Sequence, residues 1–317
     1  MPDELAWIAA VSAARSARRG ERIQSVWSGY GELFRVVLDG GARASAVVKW
    51  AKTPGGVGDD PGDARKRRSY QVEQAFYGEL SARCDHRCRV AELLGSRAGD
   101  GEWLTVLEDL DAAGFAERRR RLGPVELAAC LRWLAELHAR FLGEPPAGLW
   151  DTGTYWHLGT RRDELPRIAD AELRALAPVI DGLLEAAAFR TILHGDAKEA
   201  NFCFAPGGTD VAAVDFQYAG GGCGMKDVAY LLHDRDDEPE DGIAHAHLDT
   251  YFGHLRAALA RRPEGIDADA LEAEWRRLYP LARADFCRFL AGWAPDHWRR
   301  DARGQRFVRG VLRDLQG

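Results

Sequence analysis

The run His194-Gly195-Asp196-Ala197-Lys198-Glu199-Ala200-Asn201 (HGDAKEAN) is followed a few residues later by Val214-Asp215-Phe216-Gln217 (VDFQ), and these two stretches decide how the rest of the chain is read. Apolar runs flank both, in ILHGDAKEANFCF and VAAVDFQ, and predict short strands. Asp196 and Asn201 then lie five apart on a loop that leaves one strand. Asp215 ends the next strand, so a hairpin returns it beside them, with Lys198 between. Two carboxylates, an amide and an ammonium converge at one end of a hairpin. Such a set suits a triphosphate with its Mg²⁺ ions: the oxygens hold hard cations and the ammonium meets phosphate oxygen.

Upstream, residues 21–50 read as strands joined by tight turns. Phe34 to Leu38 and Ala46 to Trp50 are rich in β-branched and aromatic residues, and Asp39-Gly40-Gly41 between them has hairpin-turn chemistry. A helix is expected over about Ala64 to Ala82, and a strand over Glu102 to Leu110. The first 110 residues therefore read as a small sheet with one main helix. After Asp111 the character becomes helical. Pro124 suits a first helical position, and Leu127, Leu131, Leu134, Leu137 and Phe141 recur at the spacing of a buried stripe, with Pro145-Pro146 beyond its end. Residues 163–188 and the chain from Met225 onward also read as helical. Gly220 to Met225 (GGGCGM) fails the dinucleotide pattern GxGxxG and reads as a mobile loop or a tight turn.

Composition narrows the function. A net charge of −6 over 317 residues argues against a nucleic-acid binder driven by phosphate contacts. No apolar run approaches the ~20 residues of a membrane span. The N-terminus places Asp3 and Glu4 before its apolar stretch, the wrong order for a signal peptide, and Leu5, Ile8, Ala9 and Ser12 fit an amphipathic surface helix. A cytoplasmic protein is expected. Six cysteines are too few for a disulfide scaffold; Cys84 and Cys88 flank His86, but no second pair completes a zinc site, so reduced thiols are expected.

HGDAKEAN with VDFQ resembles the catalytic loop and metal-binding turn of the protein-kinase-like superfamily. The HGD opening is the form of aminoglycoside phosphotransferases and choline or ethanolamine kinases. Leu107 to Phe115 (LEDLDAAGF), Val72 to Tyr77 (VEQAFY) and Asp215 to Leu232 look most like the ecdysteroid kinase-like group. The resemblance runs from about Ser25 to Trp293. It implies a bilobal α+β fold, with residues 1–110 as the nucleotide-binding lobe and 111–317 as a larger, mostly helical lobe that carries catalysis and the acceptor. It implies an ATP- and Mg²⁺-dependent kinase that phosphorylates a small-molecule alcohol, with no nucleic-acid or membrane partner. By position, Asp196 matches the catalytic carboxylate, and Lys198 sits where a lysine can touch the γ-phosphate. Asn201 and Asp215 match the metal ligands. Lys49 matches the lysine that holds the phosphates, and Glu73 its ion-pair partner. Ser28, Gly29 and Gly31, in SGYGE, match the loop over the phosphates. Glu108 and Leu110 match the hinge backbone that bonds adenine, and Asp227 a buried brace under the catalytic loop.

The resemblance leaves the acceptor open. Tyr155, Trp156, Trp293 and Trp298 are candidate pocket walls. His233 to Gly242 (HDRDDEPEDG) carries six acidic residues, which would suit a cationic acceptor such as an aminoglycoside, choline or ethanolamine, or else forms a solvated loop. Only eleven residues separate Asp215 from Asp227, too few for the long activation segment of a protein kinase. A nucleotide-binding module without catalysis is the remaining alternative, opposed by the complete set Lys49, Glu73, Asp196, Asn201 and Asp215.

Overall fold

A computed structural model describes residues 2–26, 29–53, 61–233 and 243–316. The chain packs as two compact units, one of residues 1–129 with 200–217, the other of residues 130–199 with 218–317.

The first unit is built on a five-stranded antiparallel sheet. Its strands are β1 (Ser16–Val26), β2 (Gly31–Asp39), β3 (Ser45–Lys52), β5 (Leu93–Gly99) and β6 (Glu102–Glu108), in the order β1-β2-β3-β6-β5. Period-two alternation sets the faces. Phe34, Val36 and Leu38 of β2, Ala46 and Val48 of β3, and Leu104 and Val106 of β6 share one buried cluster. Helix α1 (Pro2–Val11) adds Ile8 to it. Lys49 is out of phase with Ala46 and Val48, so it points to the opposite face. Helix α2 (Pro61–Ala75) covers that face: Gln74 Nε2 donates to Thr105 Oγ1 (3.1 Å) and Leu104 O (3.3 Å), and Thr105 is the cross-strand partner of Lys49. The helix expected over 64–82 is thus shorter at its end; beyond Ala75 the chain widens into a π-helical turn, Phe76–Leu80. A second small sheet joins β4 (Arg89–Val90) to the hairpin of β8 (Phe202–Phe204) and β9 (Val211–Ala213).

The second unit is helical. It holds α4 (Ala171–Glu185), α5 (Met225–Leu231), α6 (Ile243–Leu259), α7 (Ala268–Trp293), α8 (Pro295–Trp298) and α9 (Ala302–Gln316), with most of α3 (Pro124–Arg140) preceding them. Leu127, Leu131, Leu134, Leu137 and Phe141 are all buried, as their spacing predicts. The helix ends at Arg140, before the two prolines. Residues 163–188 do not form one helix, because a 3₁₀ turn (Arg162–Arg167) comes first and Asp170 then caps α4 through the N–H groups of Glu172 and Leu173.

GGGCGM is neither a mobile loop nor a tight turn. Gly220–Gly222 form strand β10, antiparallel to β7 (Thr191–Leu193) and wholly buried. A side chain on Gly220 would collide with the backbone of Trp150 and Gly153. The glycines permit close backbone packing, which short-range pattern reading cannot see.

Two polar clusters tie the helices to the segment after Gly153. Arg288 of α7 donates to Asp285 Oδ1 (2.6 and 3.0 Å) and to Trp156 O (2.7 Å), and Lys226 lies 3.5 Å from Asp285, all buried. His157 approaches Asp181 (3.7 Å) and Glu185 (3.3 Å), one helical turn apart on α4. This is the one histidine-and-carboxylate group of metal-holding spacing among the described residues. Burial, then the charge of Asp285, pushes the Asp181 carboxyl up to about 6. A raised carboxyl favours the fold while protonated and loses that contribution as pH rises through about 6. Asp181→Asn keeps the shape without the charge. The variant's melting temperature relative to wild type should therefore be higher at pH 8 than at pH 4.5. An offset independent of pH would show that the carboxylate is adequately solvated.

Candidate active site

In the first unit a lysine is held between two carboxylates. Lys49 Nζ donates to Glu73 Oε1 at 2.8 Å and to Asp215 Oδ1 at 3.0 Å. Glu73 is buried on α2, the helix that Gln74 fastens to the sheet. Asp215 follows β9 with φ 71°, a left-handed conformation that costs a non-glycine residue about 1–3 kcal/mol unless its surroundings enforce it. The surroundings here are aromatic. Phe216 stacks on Phe76 (3.8 Å between ring centres, 6° between planes), and Tyr77 meets it edge-on at 5.7 Å. One end of α2 thus carries Glu73 and, one turn on, the rings that seat the residue after Asp215. Across the hairpin, Val214 N–H donates to Asn201 O at 3.0 Å, so Asn201 and Asp215 flank one pair of strands.

Burial alone would lower the Lys49 pKa, but Asp215 and Glu73 outweigh it and hold the ammonium above the ordinary lysine value. Burial pushes Glu73 up, and the charge of Lys49 opposes the shift. Lys49 is therefore a fixed, permanently charged donor. The donors offered by Asn201 and Asp215 are an amide oxygen and a carboxylate, with no thiolate or imidazole, which fits a hard cation such as Mg²⁺.

The other first-unit expectations fare differently. Ser28 lies outside the described residues. Gly29 is exposed with φ 76°, while Gly31 begins β2, where a Cβ would run into Trp50 O. Strand packing is enough to require glycine there. Glu108 ends β6; both its carboxylate oxygens accept from Arg89 Nη2 (2.6 and 2.5 Å), and its N–H donates to Glu92 O (2.9 Å). That N–H is not available to a nucleotide. Leu110, two residues on, is buried and its carbonyl accepts from Phe115 N–H (2.8 Å).

In the second unit one buried aspartate shapes the HGD loop. Asp227, on α5, accepts from the N–H groups of His194 (2.7 Å) and Gly195 (2.9 Å), and pairs with His138 Nε2 (3.1 Å), whose Nδ1 meets Tyr251 Oη (2.8 Å). Gly195 has φ 81°, and a Cβ there would overlap Tyr218 O. His194 packs edge-on against Trp133, and its Nδ1 accepts from Asp196 N–H (3.2 Å). His194 is thus a packed, hydrogen-bonded imidazole. Asp196 is nearly buried, and its Oδ2 accepts from Lys198 Nζ at 2.7 Å.

A cavity of about 430 Å³ opens beside this pair, lined by Lys198, Glu199, Tyr230, Phe286 and Trp293 among others. Of the four aromatic wall candidates only Trp293 lines it. Trp156 and Trp298 are buried in packing, and Tyr155 stands behind Tyr230, hydroxyl to hydroxyl at 3.3 Å. Tyr230 and Phe286 were not singled out from sequence, although Tyr230 lies one turn past Asp227 on α5. The acidic run is outside the described residues from Asp234 to Gly242. All six cysteines are free thiols, and no described helix is long and apolar enough to cross a membrane.

The model of the phosphotransferase enzyme family, APH, matches residues 23–264. No curated protein matches the chain in sequence. Among solved structures, an amicoumacin kinase in complex with AMP-PNP, Ca²⁺ and Ami is similar with TM-score 0.53 at 13% identity, over 92% of this chain and 88% of that one. A putative fructosamine-3-kinase from Haemophilus somnus gives 0.50 at 10%, over 99% and 97%. Plasmodium vivax ethanolamine kinase gives 0.50 at 12%, over 93% and 83%. At such identities the likeness carries the fold alone. Taken with the family match over three quarters of the sequence, it places the chain in the phosphotransferase enzyme family, with a protein-kinase-like fold.

Proposed function

We propose that the protein transfers the γ-phosphoryl group of ATP, with Mg²⁺, to a hydroxyl of a small molecule. The observation that carries this reading is Lys49 held between Glu73 and Asp215, a cation placed for phosphate before any nucleotide arrives. The nucleotide and Ca²⁺ in the amicoumacin kinase complex support the same reading.

In this scheme residues 1–110 hold the nucleotide: Lys49 bonds phosphate oxygens, Glu73 orients Lys49, Gly29 and Gly31 lie over the phosphates, and Glu108 and Leu110 lie at the adenine. Asn201 and Asp215 would hold Mg²⁺, which supplies charge neutralisation on the transferring phosphoryl group. Residues 111–317 hold the acceptor. Asp196 orients its hydroxyl and takes the proton as the oxygen attacks phosphorus; the bond from the γ-phosphorus to the bridging oxygen breaks, and ADP leaves. Lys198, already bonded to Asp196, steadies that carboxylate and offers an ammonium to the γ-phosphate. Among the described residues that line the cavity beside them, Glu199 is the one carboxylate, set against Lys198 and an aromatic wall. That lining suits an acceptor with an apolar body, of the kind expected for the ecdysteroid kinase-like group, better than a polycation. A cytoplasmic setting, where ATP is abundant, suits this reaction.

Asp196→Ala should lower turnover by about 10²–10⁴-fold while ATP still binds, because the carboxylate serves the acceptor. Wild-type turnover in the variant would remove Asp196 from the mechanism. The metal is checked separately: Asp215→Ala should lose Mg²⁺-dependent nucleotide affinity, read by titration calorimetry with and without EDTA. Full activity of the wild-type protein in excess EDTA would rule out the metal.

A further inference from the structure

Three donor side chains of the second unit form a group that phosphotransfer does not use. His157 follows the buried Trp156, and Asp181 and Glu185 stand one turn apart on α4. His157 Nε2 is 3.3 Å from Glu185 Oε1 and 3.7 Å from Asp181 Oδ1. One donor atom from each of the three lies within 4.8 Å of the others. Two of these atoms are enclosed and unsatisfied: neither His157 Nε2 nor Asp181 Oδ1 makes a hydrogen bond among the described residues. The imidazole is close to Glu185 but not aligned to donate to it. An ion between the donors needs no accessible surface on each, because it occupies the space across which they face one another. Glu185, with 46% of its side chain exposed, leaves a way in.

The donors are braced from behind. His157 Nδ1 meets Thr160 Oγ1 at 3.1 Å, and Thr152 Oγ1 donates to Glu185 Oε1 at 3.2 Å. Contacts of this kind fix the ring and the carboxylate in histidine metal sites. Burial, then the charge of Lys226, holds the His157 imidazole down at about 4, so the ring is neutral, the form that binds metal. Lys226 would oppose a cation, but Asp285 meets its charge at 3.5 Å. The donor set is one imidazole and two carboxylates, which suits Zn²⁺ better than Mg²⁺. Zinc about 2.0–2.1 Å from each donor separates tetrahedral donors by about 3.3–3.4 Å. The His157–Glu185 spacing already has that value, and Asp181 is only slightly further out.

We propose that His157, Asp181 and Glu185 form a structural Zn²⁺ site, with water in the fourth position beside Glu185. The site stands independently of the phosphotransfer reading and takes no part in transfer. Its ion ties α4 to the segment that carries Tyr155 and Trp156. That segment braces the HGD loop, since Tyr155 N–H donates to Gly195 O at 3.1 Å, and Arg288 holds it from α7 through Trp156 O. The consequence is a second unit that melts higher when the ion is bound.

The test uses the full chain, stripped with EDTA and dialysed, with excess Mg²⁺ present to fill any all-oxygen site. Zn²⁺ titrated by calorimetry should bind at about one equivalent and raise the melting temperature. His157→Gln and Glu185→Gln should each weaken that binding about tenfold or more, since even an outer partner of a metal ligand is worth about 10–100-fold. The zinc-induced rise in melting temperature should shrink with it. Co²⁺ in place of zinc gives a readout on the wild-type protein that needs no variant to fold: its visible spectrum should show nitrogen and oxygen ligands and no sulfur-to-metal absorption. No zinc binding in excess Mg²⁺, unchanged zinc affinity in both variants, or a cobalt spectrum with thiolate bands would each overturn the proposal.

Discussion

A buried ammonium must be neutralised where it stands, and in this protein that requirement organises the first unit. Lys49 leaves β3 on the face away from the apolar cluster, and Glu73 and Asp215 balance it from a helix and from a hairpin 166 residues along the chain. The sheet places the lysine. Gln74 places the helix. The Phe216–Phe76 stack seats the residue after Asp215 and makes its left-handed conformation tolerable. Separate elements are thus held by one charge that would be expensive to leave alone.

The second unit follows the same logic with a different group. Asp227 takes two backbone N–H bonds from the HGD loop and a third contact from His138, all out of water. Its charge is spread over fixed donors, and the loop that carries Asp196 inherits their rigidity. Gly195 is part of that geometry, since only glycine accommodates both its φ and the approach of Tyr218 O. Behind it, Arg288, Asp285 and Lys226 anchor the Trp156 segment to α7 and α5 through buried charge.

The sequence was legible where chemistry is contiguous. Asp196, Lys198, Asn201 and Asp215 fall within 20 positions, and the strand-loop-strand pattern alone was enough to group them. Lys49 and Glu73 carried no such signal: a lysine at a strand end and a glutamate on a helix look like solvated surface, and the resemblance supplied them. Alternating β2 and β3 and the leucine stripe of α3 were readable because burial follows their periods. Gly220–Gly222 was misread because three glycines have no strand propensity and pair only because a neighbouring backbone comes too close for a side chain. Gly31 was read as a phosphate-loop residue, yet packing against Trp50 is enough to demand it.

The central claim is that the Lys49–Glu73–Asp215 contact is a nucleotide site built in advance. Calorimetric titration of Mg·ATP into the wild-type protein and into Glu73→Gln tests it most directly. Glutamine keeps the size of Glu73 and removes the charge that orients Lys49. The account predicts that wild type binds Mg·ATP and that the variant, still folded, binds it about tenfold or more weakly. Equal affinity in the two proteins, or no binding by wild type, would contradict it.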